Sequence, residues 1–318
     1  MKRTKIVVTV ALLSIGLGFA GIGQEAATVF DVLPGVGMLG AGGAGLSIVT
    51  NAETLYYNPA GLSQLPGISV SSFYASYMGL ANYSAFALTF RNWGVAALLL
   101  GSKGIEGYDD SGSPTDAALS YRNTGFLFGA GVDPSELGFL PSFAIDMSLG
   151  ARIKFLTAGV GDEQATGFSF DLGFLTGFPD VDLGGFAIKE LSLGVTAVNL
   201  FGGLSYDDSS DDFLMDIQVG GSARVADVVV IALDVHLAGS LHVGIAYEPV
   251  PTLALRLGII SGSGVSITAG VGVDVEGFLL DYAYVTHAVG GTHRVSLTLD
   301  FSSLDITALS RSMRRLLP

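Results

Sequence analysis

Cysteine is absent from the 318 residues, and charged residues are scarce. Without cysteine the chain can form no disulfide bond, thiolate nucleophile or cysteine-ligated metal site. Charged residues account for 14% of the chain, well below the roughly 25% of an ordinary soluble domain, which is too few to cover a water-exposed surface. Basic residues are the scarcer kind, since 15 Lys and Arg stand against 29 Asp and Glu, and this balance argues against nucleic acid as a partner.

Long apolar runs are also missing after the first twenty or so residues. No later run reaches the roughly 18 residues that a membrane-spanning helix requires. Hydrophobic residues nevertheless make up 49% of the chain, so the apolar surplus must face something other than water. Only helices and closed barrels pair all their backbone groups within hydrocarbon. Because helices are excluded, the composition predicts a β-barrel that lies in membrane lipid.

The amino terminus has the features of an export signal. Three basic residues within 1–5 precede an apolar stretch at 6–19, and small residues follow up to Gly23. This order is typical of a secretory signal peptide. We therefore expect residues 1–23 to be a signal peptide that is removed before Gln24, and the mature chain to reach the bacterial outer membrane. The alternative, a retained inner-membrane anchor, is disfavoured by the short apolar stretch.

From residue 67 to 301 about fourteen segments of roughly ten residues alternate in polarity and end at turns. In one of them, for example, Val265 and Ile267 oppose Ser266 and Thr268. Strands of a soluble sandwich average about 5–6 residues, whereas a membrane-spanning strand needs about 9–11. The pattern predicts an all-β fold, a transmembrane antiparallel up-and-down β-barrel of about fourteen strands, with a soluble all-β domain as the alternative.

The connections between these segments alternate in length. Long connections at 104–119, 159–164, 201–212 and 287–291 fall on one side of the barrel, and we expect them to be extracellular loops. The other side has mostly tight turns, although two longer connections there, 133–143 and 177–187, break this rule. An even strand count returns both termini to the periplasm. There we expect residues 302–318, which have an amphipathic pattern, to form either a short helix on the membrane surface or a frayed tail.

Residues 24–66 do not alternate and are rich in Gly. A barrel of about fourteen strands encloses more space than its wall side chains fill. A Gly-rich segment can pack closely against an inner wall. We therefore expect residues 24–66 to form an N-terminal plug segment inside the barrel.

Two stretches of sequence carry a family resemblance. The first, "AETLYYNPAGL" from Ala52 to Leu62, resembles the amino-terminal plug of the long-chain fatty acid transporter family of outer-membrane barrels, and it is closer still to the PorV/PorQ-like branch of that superfamily. The second, from Leu279 to Phe301, is similar to the last hairpin of that branch. The resemblance implies a barrel that admits hydrophobic molecules from outside and releases them past the plug. It also implies, for some members, a role as a partner in protein secretion.

Asn58, Pro59 and Ala60 form the core of the first stretch and are the candidate ligand-binding or gating residues. Pro fixes its own φ and biases the preceding Asn58 away from helix, and an Asn side chain can bond nearby backbone. We expect a fixed turn here. It is either a latch whose movement opens the lumen or a purely structural turn.

Charged side chains recur on the strand face that also carries the small polar residues. On the lipid face an Arg or Lys would cost up to about 2–4 kcal/mol at the midplane, so we expect these charges to face the lumen. The residues are Arg152, Lys154, Asp171, Arg224, Asp234, Arg256, Asp281 and Arg294, with Asp216, His236 and Asp274 on the same face. They form either an ion-pair network that braces plug to wall or, for Arg152, Lys154 or Arg256, a site for an anionic head group.

Sequence signatures of catalysis, cofactors and metal binding are missing. The four His residues have no zinc-ligand spacing, and no GxSxG motif is present. The acidic loops lack the spacing of an EF-hand. We therefore expect no enzyme activity, no cofactor and no metal.

Passive uptake of hydrophobic small molecules, such as a fatty acid, is the function that these features favour, with membrane lipid surrounding the barrel. The alternative is a non-transporting scaffold or shuttle with secretion-system or envelope proteins as partners. A narrow water-filled porin is a third hypothesis, which a plug disfavours.

Overall fold

The computed structural model describes most of the chain. The described residues are 29–32, 34–77, 79–108, 114–137, 146–161, 163–184, 187–287 and 290–302. The predicted signal peptide at 1–23 lies outside the described residues. So does the predicted tail at 302–318, apart from Ser302.

Sixteen strands make up almost all of the described structure after residue 68. They are β1 (Ser69–Tyr77), β2 (Ala81–Phe90), β3 (Trp93–Tyr108), β4 (Pro114–Val132), β5 (Asp146–Val160), β6 (Glu163–Gly177), β7 (Val181–Asp182), β8 (Ala187–Ser205), β9 (Ser210–Asp212), β10 (Asp216–Val225), β11 (Val229–His236), β12 (Ser240–Val250), β13 (Leu253–Ser261), β14 (Val265–Val275), β15 (Phe278–His287) and β16 (Gly290–Asp300).

Fourteen of these strands close into one antiparallel ring. Each strand pairs with its sequence neighbours, passing from β6 to β8 and from β8 to β10, because the short β7 and β9 pair only with parts of β8. The ring closes where β1 pairs with β16, with Val70 opposite Leu299. The predicted all-β, transmembrane, up-and-down barrel of fourteen strands is confirmed.

The outer face of the ring is apolar. In β2, Phe86 is 55% exposed while Ala85 and Ala87 on either side are buried. In β13, Leu257 is 59% exposed and the adjacent Arg256 faces inward. This alternation follows from the period of two along a strand. It presents Phe, Leu, Ile and Val to the hydrocarbon that surrounds a transmembrane barrel.

The two ends of the barrel differ in their connections. At the end where β1 begins and β16 ends, called the terminal end below, tight turns join several strands. Between β14 and β15, Glu276 and Gly277 have φ values of 52° and 88°. A two-residue type I′ turn requires positive φ at both positions, and its twist matches that of the flanking strands. The opposite end is called the loop end.

Strands β3, β4 and β8 are longer than the sequence pattern predicted. β3 continues to Tyr108 and β4 begins at Pro114, so the predicted loop at 104–119 is wrong over most of its length. β8 likewise continues to Ser205, into the predicted loop at 201–212. In these strands the alternation of polar and apolar residues ends before the strand pairing does. The reason is that an antiparallel neighbour pairs through backbone hydrogen bonds, which do not depend on the side chain of a non-proline residue.

The described residues before β1 form only short helical turns. α1 spans Val36–Gly40, α2 spans Thr54–Tyr57, and a 3-10 helix spans Pro59–Gln64. Two further 3-10 turns span Val29–Asp31 and Pro134–Leu137. Each helix in the described part of the chain is too short or too polar to cross a membrane.

Candidate functional site

The amino-terminal segment, residues 34–66, contacts inward-facing residues on opposite sides of the ring. On one side, Arg152 of β5 donates from Nη1 to the Leu55 carbonyl at 2.7 Å. On the other side, Thr268 of β14 accepts from the Gly42 amide at 2.9 Å. β5 and β14 are seven strands apart in the ring of fourteen. The segment therefore lies across the lumen rather than along one part of the wall.

Glycines of the wall let this segment approach the strands closely. A Cβ on Gly150 of β5 would lie 2.2 Å from the Ala60 amide nitrogen. A Cβ on Gly244 of β12 would lie 2.0 Å from the Ala41 carbonyl oxygen. No side chain fits at such distances, so the backbone contacts between segment and wall depend on Gly at these positions.

Asn58, Pro59 and Ala60 lie in a buried turn against β6. The Asn58 Nδ2 donates to the carbonyls of Leu46 and Phe174, each at 2.9 Å, and its Oδ1 accepts from the Ala60 amide at 3.1 Å. Asn58 itself is extended, with φ of −142°, and Pro59 begins the 3-10 helix. One side chain thus joins two parts of the segment to the wall.

Arg152, Lys154 and Asp171 form a buried ion cluster on β5 and β6. Asp171 is fully buried and accepts from Arg152 Nη2 at 2.6 Å and from Lys154 Nζ at 2.9 Å. The same carboxylate accepts from the Asn199 amide at 2.8 Å. A buried charge that loses its partner is costly, so both cations depend on this one carboxylate.

Asn199 lies in a bulge of β8. The pairing between β6 and β8 shifts register, so that residues 198–200 oppose Asp171 alone. The φ of Asn199 is 54°, in the left-handed region that Asn adopts more readily than most residues. Its Oδ1 accepts from Lys154 Nζ at 2.7 Å. The bulge is therefore connected, through Asp171 and Arg152, to the carbonyls at the end of α2.

Arg256 and Asp281 form a second pair, on β13 and β15, and it lies close to Glu53 of the segment. Arg256 Nη1 donates to Asp281 Oδ1. Glu53 accepts from the amides of Gly37 and Met38, at 3.2 and 3.4 Å. Burial desolvates the Glu53 carboxylate and Asp281 repels it, and together they raise the pKa of Glu53 from its ordinary 4.5 to about 7.

Asp234 of β11 holds the segment at a third place. Its Oδ2 accepts from the amides of Gly45 and Leu46, at 2.7 and 3.0 Å. Asp234 is almost completely buried, with 1% of its surface exposed. Two backbone donors converging on one carboxylate fix the direction of the chain at this point.

Arg224 and Arg294 lie apart from these contacts. Arg224 is at the terminal end, where it donates to Glu190 at 2.9 Å and to Glu248 at 2.6 Å. The Arg294 guanidinium lies over the Tyr77 ring, 5.4 Å from its centroid. The predicted charged residues are thus distributed over several places and do not converge on one site.

The distribution favours bracing over ligand capture for two of the predicted cations. The charges of Arg152 and Lys154 are already balanced in part by Asp171, and Arg152 also binds the segment.

Among the described residues, no group of three or more His, Asp or Glu side chains could hold a metal ion.

Glu53 and Asn199 are not among the residues that the sequence predicted for the site. Glu53 had a usable signal, because it is the one charged residue within 34–66. Asn199 interrupts the alternation of β8 and is followed by Gly202 and Gly203, a combination that is typical of a bulge. Both residues are polar groups in a locally apolar sequence.

No family model matches the sequence, and no curated protein matches it either. Among solved structures, the chain is similar to the toluene transporter TbuX of Ralstonia pickettii, with a TM-score of 0.50 and 14% identity over 85% of this chain and 98% of that one. It is also similar to the deltaS2S3 mutant of the monoaromatic hydrocarbon channel TodX, with a TM-score of 0.50 and 11% identity over 83% of this chain and 97% of that one.

These structural neighbours are fourteen-strand transporters of the long-chain fatty acid transporter family, and they are outer-membrane barrels. At identities this low the likeness shows the fold alone. The PorV/PorQ-like branch is not tested by it and stays a prediction.

Proposed function

We propose that this protein mediates passive uptake of hydrophobic small molecules across the bacterial outer membrane, and that residues 34–66 act as a plug that moves during passage. The observation that carries this proposal is the segment's position across the lumen of a barrel whose outer face is apolar, where it is held by separate polar contacts to Arg152, Asp234 and Thr268. In this proposal the terminal end faces the periplasm.

The inner wall near β1–β4 carries buried apolar side chains, and this favours an apolar substrate in the proposed uptake. Tyr83, Leu98 and Leu127 are buried there, and they pack with Val29 and Leu55 from the residues before β1. An apolar molecule that replaces such contacts gains about 25 cal/mol for each Å² of surface removed from water. Movement of the plug would exchange one apolar contact for another at little net cost.

The cysteine-free sequence allows the plug to be locked without background disulfides. The hydroxyl oxygens of Ser63 and Ser148 are 2.8 Å apart, and those of Ser47 and Ser222 are 2.9 Å apart. Each pair joins the segment to the wall. The double substitutions Ser63→Cys with Ser148→Cys, and Ser47→Cys with Ser222→Cys, therefore place two sulfur atoms within reach of one bond.

The test measures entry of the apolar fluorophore N-phenyl-1-naphthylamine into vesicles whose outer leaflet is lipopolysaccharide. We expect faster entry in vesicles that contain the protein than in empty ones. Oxidation of either double-cysteine variant should slow entry, and a reductant should restore it, while the four single-cysteine variants serve as controls. Equal entry rates with and without the protein would overturn the proposal.

The alternative function, a scaffold or shuttle in secretion or envelope assembly, is supported by the sequence resemblance alone and stays a prediction. Copurification of a secreted protein after gentle detergent extraction would support it.

A further inference from the structure

A cavity of about 460 Å³ lies at the terminal end, between the amino-terminal segment and the wall from β5 to β13. Its volume is roughly three times the 150 Å³ that holds a benzene molecule in a dry protein cavity. Its lining includes the apolar side chains of Ile48, Leu175 and Leu191. The same lining carries charge, including Arg224 and Glu248. The cavity is thus suited in size and polarity to an amphipathic molecule of one or two rings.

The charges that line this cavity are mostly negative. Arg224 lies between Glu190 and Glu248, at 2.9 and 2.6 Å, so this one cation is shared by two carboxylates. Asp146 is a third carboxylate of the lining. The other lining cation, Arg256, is paired with Asp281 on β15.

Asp281, which lies outside the lining, neutralises Arg256. Arg224 is therefore the one lining cation left to balance the three lining carboxylates. A cleft with an excess of one sign concentrates ligands of the opposite sign. These acids would repel a carboxylate head group. They would attract an ammonium group, because its positive charge offsets the excess negative charge of the lining. Glu248 is partly buried, so water screens its attraction only in part, whereas Glu190 and Asp146 are exposed and are screened more strongly.

We propose that this cavity binds amphipathic organic amines, with the apolar body against Leu175 and Leu191 and the ammonium group beside Glu248, in the negative field to which Asp146 contributes. The inference deepens the proposed uptake function and rests on it for the direction in which a ligand reaches the terminal end. Binding itself does not depend on transport.

The test uses three probes that share one naphthalene ring: 2-(1-naphthyl)ethylamine, 2-(1-naphthyl)ethanol and 1-naphthylacetate. Their affinities for the full chain in lipid nanodiscs are measured by naphthalene fluorescence. We expect the amine to bind about threefold to fivefold more tightly than the alcohol, which is the range that a partly exposed ion pair provides, and the acid to bind most weakly. Higher salt should reduce the difference.

Glu248→Gln and, separately, Asp146→Asn should each weaken the preference for the amine. The second variant keeps the test valid if Arg224 needs Glu248 for folding. Glu163→Gln removes the same charge at the loop end and should change nothing. Gly177 lines the cavity, and a Cβ added there meets its nearest neighbour only at 3.9 Å, so a Cβ fits without a clash. Gly177→Leu should therefore fill part of the cavity and weaken the binding of all three probes.

Equal binding of amine and acid, or an amine preference that survives both acid substitutions, would overturn the inference. Amine binding without any protein-dependent uptake would leave this inference standing and reject the proposed function. Protein-dependent uptake of apolar probes without a preference for the amine would reject this inference and leave the proposed function standing.

Discussion

Strands β1–β4 and the strands from β5 round to β16 hold the same amino-terminal segment by different means. The buried inner residues of the first group are uncharged and mostly apolar, namely Phe73, Ala75, Tyr83, Ala85, Ala87, Ala96, Leu98 and Leu127, with the polar Ser69, Ser71, Thr89 and Asn123 among them. The second group also buries apolar residues such as Leu156 and Leu175, but it adds buried charged and polar side chains, among them Arg152, Lys154, Asp171, Asp234, Thr268, Asp281, Arg294 and Thr298.

The difference separates two tasks. Apolar burial is non-directional and scales with area, so the apolar contacts of β1–β4 supply free energy without fixing one position. The hydrogen bond from the Ala52 amide to Ser69 Oγ of β1, at 3.3 Å, is directional but involves no charge. Hydrogen bonds and ion pairs fix distance and angle, so the remaining strands determine where the segment lies. The predictions below test this division, and each removes one kind of contact.

The largest effect is expected at the ion cluster. Asp171→Asn leaves the charges of Arg152 and Lys154 buried with no carboxylate between them, which should lower the free energy of unfolding by about 3–5 kcal/mol. Urea unfolding in detergent micelles measures it. Asp211→Asn, at an exposed site, is the control. An unchanged midpoint for Asp171→Asn would show that the polar side is not needed for stability.

On the apolar side, Leu55→Ala should cost about 2–4 kcal/mol, because Leu55 is fully buried and the change leaves a cavity. The matched variant Leu257→Ala lies on the outer face, where Leu257 is 59% exposed and lipid can fill the space. The same unfolding assay compares them. Equal losses at both positions would contradict the assigned role of β1–β4.

Asn58→Ala removes the donor for the carbonyls of Leu46 and Phe174 and leaves them buried. We expect a loss of about 1–3 kcal/mol and faster hydrogen exchange in residues 34–66. Asn82→Ala, which removes an exposed bond to Tyr74, is the control. If exchange rises equally in both variants, Asn58 does not hold the segment.

The most gradual effect, and the smallest per pH unit, is a pH dependence at Glu53. In the folded chain its proton is held up to about pH 7, whereas the unfolded chain releases it near 4.5. The folded state thus binds more protons in this window, and stability should fall as pH rises through it, by at most about 1.4 kcal/mol per pH unit. Glu53→Gln should flatten the curve between these values. A wild-type curve that rises over the same window would show that the sign is wrong.

The sequence was sufficient for the barrel because its cause is local. The alternation of apolar and polar residues in a segment such as 265–268 indicates which strand face meets lipid. Closure of the ring follows because every backbone group must be paired in hydrocarbon. The extension of β3 to Tyr108 was missed because pairing with β4, not side-chain pattern, holds the strand there.

The contacts inside the lumen were harder to predict. The charged residues could be assigned to the inner face from the cost of placing them in lipid, but their partners depend on strand register and on the path of the segment. The bond from Arg152 to the Leu55 carbonyl joins residues 97 positions apart, and neither residue type specifies the other. The plug at 24–66 and the removal of 1–23 stay predictions.

The pairing of β1 with β16, the seam of the ring, limits the order in which the barrel can assemble. It joins Ser69 to Asp300, so the ring cannot be completed until the last strand has been made and has travelled back to the first. Because the amino-terminal segment bonds strands on both sides of the lumen, it must already occupy the interior when the seam forms, or pass in through one end later. A chain that lost β16 would keep two unpaired edges, and such edges recruit strands from other molecules.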